Sequence, residues 1–189
     1  MVVVTLLLPF PAPPAVVGEA LTDLAIVRGG DEDEIAQLGD LAKLPRPWDP
    51  ATCPDEIRQD LWEWLDSVAE WLNHEYGWRT ASLIPPCWPQ HPRLIRELAV
   101  LACLRASAAD AITADPLEDW HRYALPGFID RMNAALGEGG CRNGKHNDWP
   151  AAGRFDAYTS DAAATDRLDR FYADTHRPTQ LRLAGTGRT

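Results

Sequence analysis

Positive charge is scarce in this chain, and lysine is nearly absent. Of its 18 basic residues only Lys43 and Lys145 are lysines, against 28 acids, for a formal charge of −10 over 189 residues. Such a balance disfavours nonspecific attraction to nucleic acid and docking on an acidic membrane surface. Sixteen arginines to two lysines is a compositional habit of high-GC genomes. Long apolar runs are also missing. The opening Met-Val-Val-Val-Thr-Leu-Leu-Leu-Pro-Phe has no basic flank and soon meets prolines at 9, 11, 13 and 14, so neither a membrane span nor an export leader is expected. The expected location is cytoplasmic, where Cys53, Cys87, Cys103 and Cys141 serve as thiols or metal ligands rather than disulfides.

The usual signatures of catalysis are missing too. Gly137-x-Gly139-Gly140 follows a helical pattern rather than a strand and has no lysine-serine or lysine-threonine after it, so it is no phosphate loop. His74-Glu75 opens like a zinc-protease motif, but Trp78 stands where the second histidine is needed. No serine sits in a nucleophile elbow. The carboxylates Asp60, Glu63, Asp66 and Glu70 recur on the polar side of one helical pattern and read as its solvated face.

Tryptophan is abundant instead. Six of the eight fall between Trp62 and Trp120, which predicts that this stretch holds the core. From Asp55 to Tyr76 the apolar positions Ile57, Leu61, Trp64, Leu65, Val68, Trp71 and Leu72 step by threes and fours, a helical stripe opened by two acids and closed near Gly77. Pro85, Pro86 and Pro89 make 78–90 a rigid connection. Pro92 opens a second helix, apolar nearly all round at 99–104 and therefore expected to be buried; Asp115-Pro116 ends the connection after it. A third helix runs through Leu117, Trp120, Phe128 and Met132, bent by Pro126 and stopped by glycines, and a shorter fourth covers Ala162 to Tyr172.

The fold class expected is mainly α: a small helical domain with an antiparallel helix hairpin and flexible terminal arms. Residues 1–52, with eight acids, three bases and the run Asp31-Glu32-Asp33-Glu34, read as a loosely attached acidic arm. Residues 53–176 form the helical core, and 177–189 a disordered tail.

Two short pairs carry the chemistry. Cys87-x3-His91 and Cys141-x4-His146 each have the bite of ligands to a tetrahedral metal. If the second and third helices fold back on each other, helices of about 30 Å bring both pairs to one end of the hairpin. Two thiolates and two imidazoles leave no open position, so the zinc they suit would staple the fold. The alternative is two idle thiols, with His91 at a helix start and His146 in a loop. His121 is a competing ligand, although a lone histidine beside an apolar stripe reads first as a hydrogen-bonded structural residue. Cys103 lies in the most apolar stretch and reads as an inert thiol.

Taken together, Trp71-Leu72, Pro86-Cys87-Trp88, His91-Pro92, the Leu98–Arg105 helix, Trp120 with Pro126, and Cys141-x4-His146 resemble a family of uncharacterised actinobacterial proteins. That family is a domain of unknown function encoded mostly on plasmids, integrative elements and phages. The resemblance covers roughly residues 62–146. The chain departs from the family pattern in its short Trp88-Pro89-Gln90 bridge and in Leu125, where an aspartate precedes the proline. The resemblance implies a mobile-element setting and metal binding, and no assigned activity.

Three functions follow as expectations. The first is a non-enzymatic accessory or interaction protein with a structural metal and a protein partner. The second is a metal-assisted hydrolase using three of the ligands, with Asp119 or Glu118 as base. The third is a DNA-contacting regulator relying on Arg177, Arg182 and Arg188, against the net charge.

Overall fold

The computed structural model describes residues 6–136, Cys141, His146 and 152–175. Every regular element among them is helical. The chain divides into two compact units, Met1–His146 and Asn147–Thr189. No helix among the described residues is long and apolar enough to cross a membrane.

In the first unit, helix α1 spans Ala15–Gly29, α2 Glu32–Gln37, α3 Asp55–Glu75 and α4 Pro92–Ala109. Helix α5, Asp115–Asp119, runs through a π-helical turn at Trp120–Ala124 into α6, Leu125–Leu136. The expected stripe of α3 is the face that packs: Leu61, Trp64, Leu65, Val68, Trp71 and Leu72 are all buried. On α4, Leu98, Ala99, Leu101, Ala102 and Cys103 are buried, but Val100 and Leu104 are exposed. Apolar composition all round α4 therefore does not mean burial all round.

The antiparallel hairpin is present. Trp120 Nε1 donates to the Leu101 carbonyl at 3.1 Å, and Arg131 pairs with Glu97 nearer the start of α4. Partners that move up one helix thus move down the other. Pro126 lacks the N–H a continuous α-helix would use, and the turn before it widens so that Leu125 N–H bonds back to the Trp120 carbonyl, five residues earlier.

The expectation of a loosely attached arm over 1–52 needs correction for its described part. The Trp64 and Trp71 indole N–H groups donate to the carbonyls of Pro11 and Leu8, each at 2.9 Å, and the Leu8 N–H donates to Glu75 Oε1 at 2.9 Å. Phe10 meets Trp64 and Trp71 edge-on, and Val17 of α1 is fully buried. Buried indoles need acceptors, and this segment's carbonyls supply them. The acidic run is a helix start: Asp31 Oδ1 accepts from the Glu34 N–H while Glu34 Oε2 accepts from the Asp31 N–H, a capping box that opens α2.

The tryptophans divide. Trp64, Trp71, Trp88 and Trp120 are buried and Trp62 is half-buried, but Trp78, expected in the core, is 96 % exposed. In the second unit, α7 spans Ala152–Thr159 and α8 Asp161–Thr175, and the two helices contact each other. The expected Ala162–Tyr172 helix is α8. The expected tail at 177–189, the glycines 137, 139 and 140, and the Val2–Val4 run lie outside the described residues.

Candidate metal centre

Cys87 and His91 flank a single 3-10 turn, Trp88–Gln90, whose shape follows from its prolines. The Trp88 N–H donates to the Pro85 carbonyl at 2.9 Å and the His91 N–H to that of Trp88 at 3.1 Å. Trp88 pegs this turn to α3: its ring is buried, stacks on Trp62 with centroids 5.4 Å apart, and its Nε1 points to Asp66 Oδ1 at 3.4 Å. Upstream, the Asn73 side chain clamps the backbone of Ile84, accepting its N–H at 2.7 Å and donating to its carbonyl at 3.0 Å. The segment bearing the first pair is therefore fixed at both ends.

His91 is also the residue at which α4 begins, and the hairpin returns α6 toward that end. Cys141, after α6, is buried beside His91: its Sγ is 3.4 Å from His91 Nε2 and 3.7 Å from His146 Nδ1. Cys87 Sγ is 3.5 Å from the same His91 nitrogen. One ligand atom from each of Cys87, His91, Cys141 and His146 lies within 4.8 Å of all the others, and the four could hold a metal ion.

These separations can be set against a metal's demands. With Zn–S near 2.3 Å and Zn–N near 2.05 Å at the tetrahedral angle, sulfur and nitrogen on one ion stand about 3.6 Å apart. The three sulfur–nitrogen distances straddle that value. The electrostatics agree with the geometry. Burial, and after it the neighbouring Cys141, pushes the Cys87 thiol up, while burial and then His146 hold His91 below the usual imidazole range. The site thus resists a thiolate at Cys87 and a proton on His91, and a dication is the species that meets thiolates and neutral imidazoles together.

The alternative ligand, His121, lies elsewhere. It is exposed on the π turn, and its Nε2 is hydrogen-bonded to the Tyr76 hydroxyl at 2.9 Å. Burial pushes the Tyr76 phenol up and keeps it protonated, and the direction of the bond follows the His121 tautomer. Glu118 faces Arg122 on its own helix turn, and among the described residues no carboxylate joins the cysteine and histidine group. Cys103 is buried, and burial pushes its thiol up to about 12, as an inert core thiol requires. Arg177, Arg182 and Arg188 lie outside the described residues. Reading the sequence missed the Trp88 peg and the Asn73 clamp; an Asn on the border of an apolar stripe was the available signal for the second. Compared with protein-family models, with curated proteins and with solved structures, the chain matches none.

Proposed function

We propose that Cys87, His91, Cys141 and His146 hold one zinc ion as a closed structural site, and that the protein is a non-enzymatic accessory or interaction protein. The observation that carries this reading is the set of four converging ligand atoms with sulfur–nitrogen spacings of 3.4–3.7 Å. Four protein ligands leave no position for water or substrate, which supports a staple and not a catalyst. The ion would join the turn before α4 to Cys141 and His146, which follow α6 in the chain.

A protein partner is supported by the second unit. Its helices leave Phe155, Tyr158, Leu168, Phe171 and Tyr172 at least half exposed, more apolar surface than so short a helix pair needs for itself. The mobile-element setting rests on the resemblance over residues 62–146, and a reducing, cytoplasmic compartment suits thiolate ligands. The competing hydrolase reading draws on one observation, the exposure of His146, the ligand that would most easily yield its place to water.

Elemental analysis of protein purified without added metal tests the proposal. One zinc per chain, absent from Cys141→Ser, is the expected result; metal-free protein with an unchanged melting curve in that variant would overturn it. A chain that retains zinc but hydrolyses ester or phosphoester substrates, and loses that activity with the metal, would favour the hydrolase.

A further inference from the structure

A second feature of the first unit is independent of the metal centre. Between α1 and α4 runs a groove of about 820 Å³, within the range of small-molecule sites. Its walls are mostly apolar, with Phe10, Leu21, Leu24 and Trp48 among them. Its charged lining is two arginines, Arg28 and Arg105, against one aspartate, Asp110. In a chain of net charge −10, a local excess of positive charge needs a reason.

Arg105 is the unusual member. Its guanidinium sits over the rings of Phe10, Trp71 and Trp120, with its carbon 5.0, 5.8 and 5.8 Å from their centroids. Its Nε and Nη1 are buried and have no hydrogen-bond partner among the described residues. Aromatic faces offset part of the cost of burying the charge, but they accept none of its five N–H donors in the plane of the fork. With Nε and Nη1 closed off by the rings, this cation meets the groove through Nη2, where a carboxylate or phosphate oxygen can accept a charge-assisted hydrogen bond.

We propose that this groove binds a small carboxylate with an apolar body, its head on Arg105 and Arg28 and its body along Phe10, Leu21 and Trp48. A monoanion is favoured over a phosphate dianion because Asp110 shares the lining and the surrounding chain is acidic. The rival explanation is that Arg105 only ties Phe10 to the tryptophans, and that role does not distinguish an acid from an alcohol.

The test uses the full chain, titrated by calorimetry with 4-phenylbutyrate, octanoate and the neutral 4-phenylbutan-1-ol. Either acid should bind saturably, and the alcohol at least about tenfold more weakly than 4-phenylbutyrate, as loss of a charge-assisted contact implies. Arg105→Met should bring the acid down to the level of the alcohol, and Arg28→Gln should weaken the acid severalfold without affecting the alcohol. No saturable binding of either acid, equal affinity for acid and alcohol, or native acid affinity in folded Arg105→Met would overturn the proposal. Should Arg105→Met fail to fold, the acid-to-alcohol ratio on the native chain and the Arg28→Gln titration decide by the same criteria.

Discussion

The two ends of α4 are secured by different physics. Toward its C-terminal end, Leu101 and Arg105 meet a cage of rings from three other parts of the chain: Phe10, Trp71 and Trp120. At its N-terminal end, His91 meets Cys87, Cys141 and His146. The first end buries large apolar surfaces and satisfies its indoles with backbone carbonyls, so burial alone can hold it. At the second end the turn before α4 meets Cys141 and His146, and four ligand atoms lying within 4.8 Å of one another converge there. The contrast teaches that a helical unit of this size can be apolar in its middle and still need a different closure where its connections meet.

The sharpest way to break the comparison is Cys141→Ser. A serine hydroxyl is a poor substitute for a thiolate, so the variant should lose zinc and with it about 4 kcal/mol or more of folding free energy, roughly 10 °C or more in Tm. A chelator should reproduce the effect on the native chain and leave the variant unmoved. Zinc release should also be promoted by acid, because ligand imidazoles must stay neutral and thiols ionised.

Next in size is the ring cage. Phe10→Ala removes a half-buried ring that contacts two tryptophans and Arg105, and should cost about 2–3 kcal/mol in denaturant unfolding, with metal content unchanged. A cost near zero would return residues 6–12 to the status of a detachable arm.

Cys103→Ala should cost about 1–2 kcal/mol near neutral pH and keep all bound metal. Its pH dependence sharpens the test. Burial raises the folded-state thiol from the ordinary 9.0 to about 12, so its contribution is fully present below pH 9 and is lost as pH rises from there toward 12, where the unfolded chain ionises first. Alanine should remove this alkaline loss, and a variant whose stability falls as steeply as the parent's between pH 9 and 11 would contradict the assignment. The smallest effect is expected for His121→Gln, which alters one exposed hydrogen bond to Tyr76: less than about 1 kcal/mol, and no change in zinc. Loss of metal there would move the ligand set away from His146.

What was legible in the sequence followed from periodicity. The stripe of α3 could be read because polar residues alternate with it, and Pro92 announced the start of α4. Helix α1 could not, since Ala15, Val16, Val17, Ala20, Leu21, Leu24, Ala25, Ile26 and Val27 spread apolar character around the whole helix and erase the pattern. The run at Asp31–Glu34 looked like excess charge when its spacing was that of a cap. The two Cys/His pairs were visible as spacings, but their meeting depended on the hairpin, on the buried Trp88 and on the Asn73 clamp. Those are tertiary facts with no local signature. Trp78 shows the converse, an aromatic residue placed in the core by composition and left in solvent by the turn that carries it.

The π turn at Trp120–Ala124 adds a consequence of its own. One residue more than an α-turn requires rotates everything after it by about 100° about the helix axis. The turn therefore acts as a phase shifter between two rigid rods. At its first residue the inward side chain is Trp120; downstream, Leu125, Phe128 and Met132 are clocked onto the face that meets α4. The face that α6 turns toward α4 is thus set by a single surplus peptide unit next to a proline.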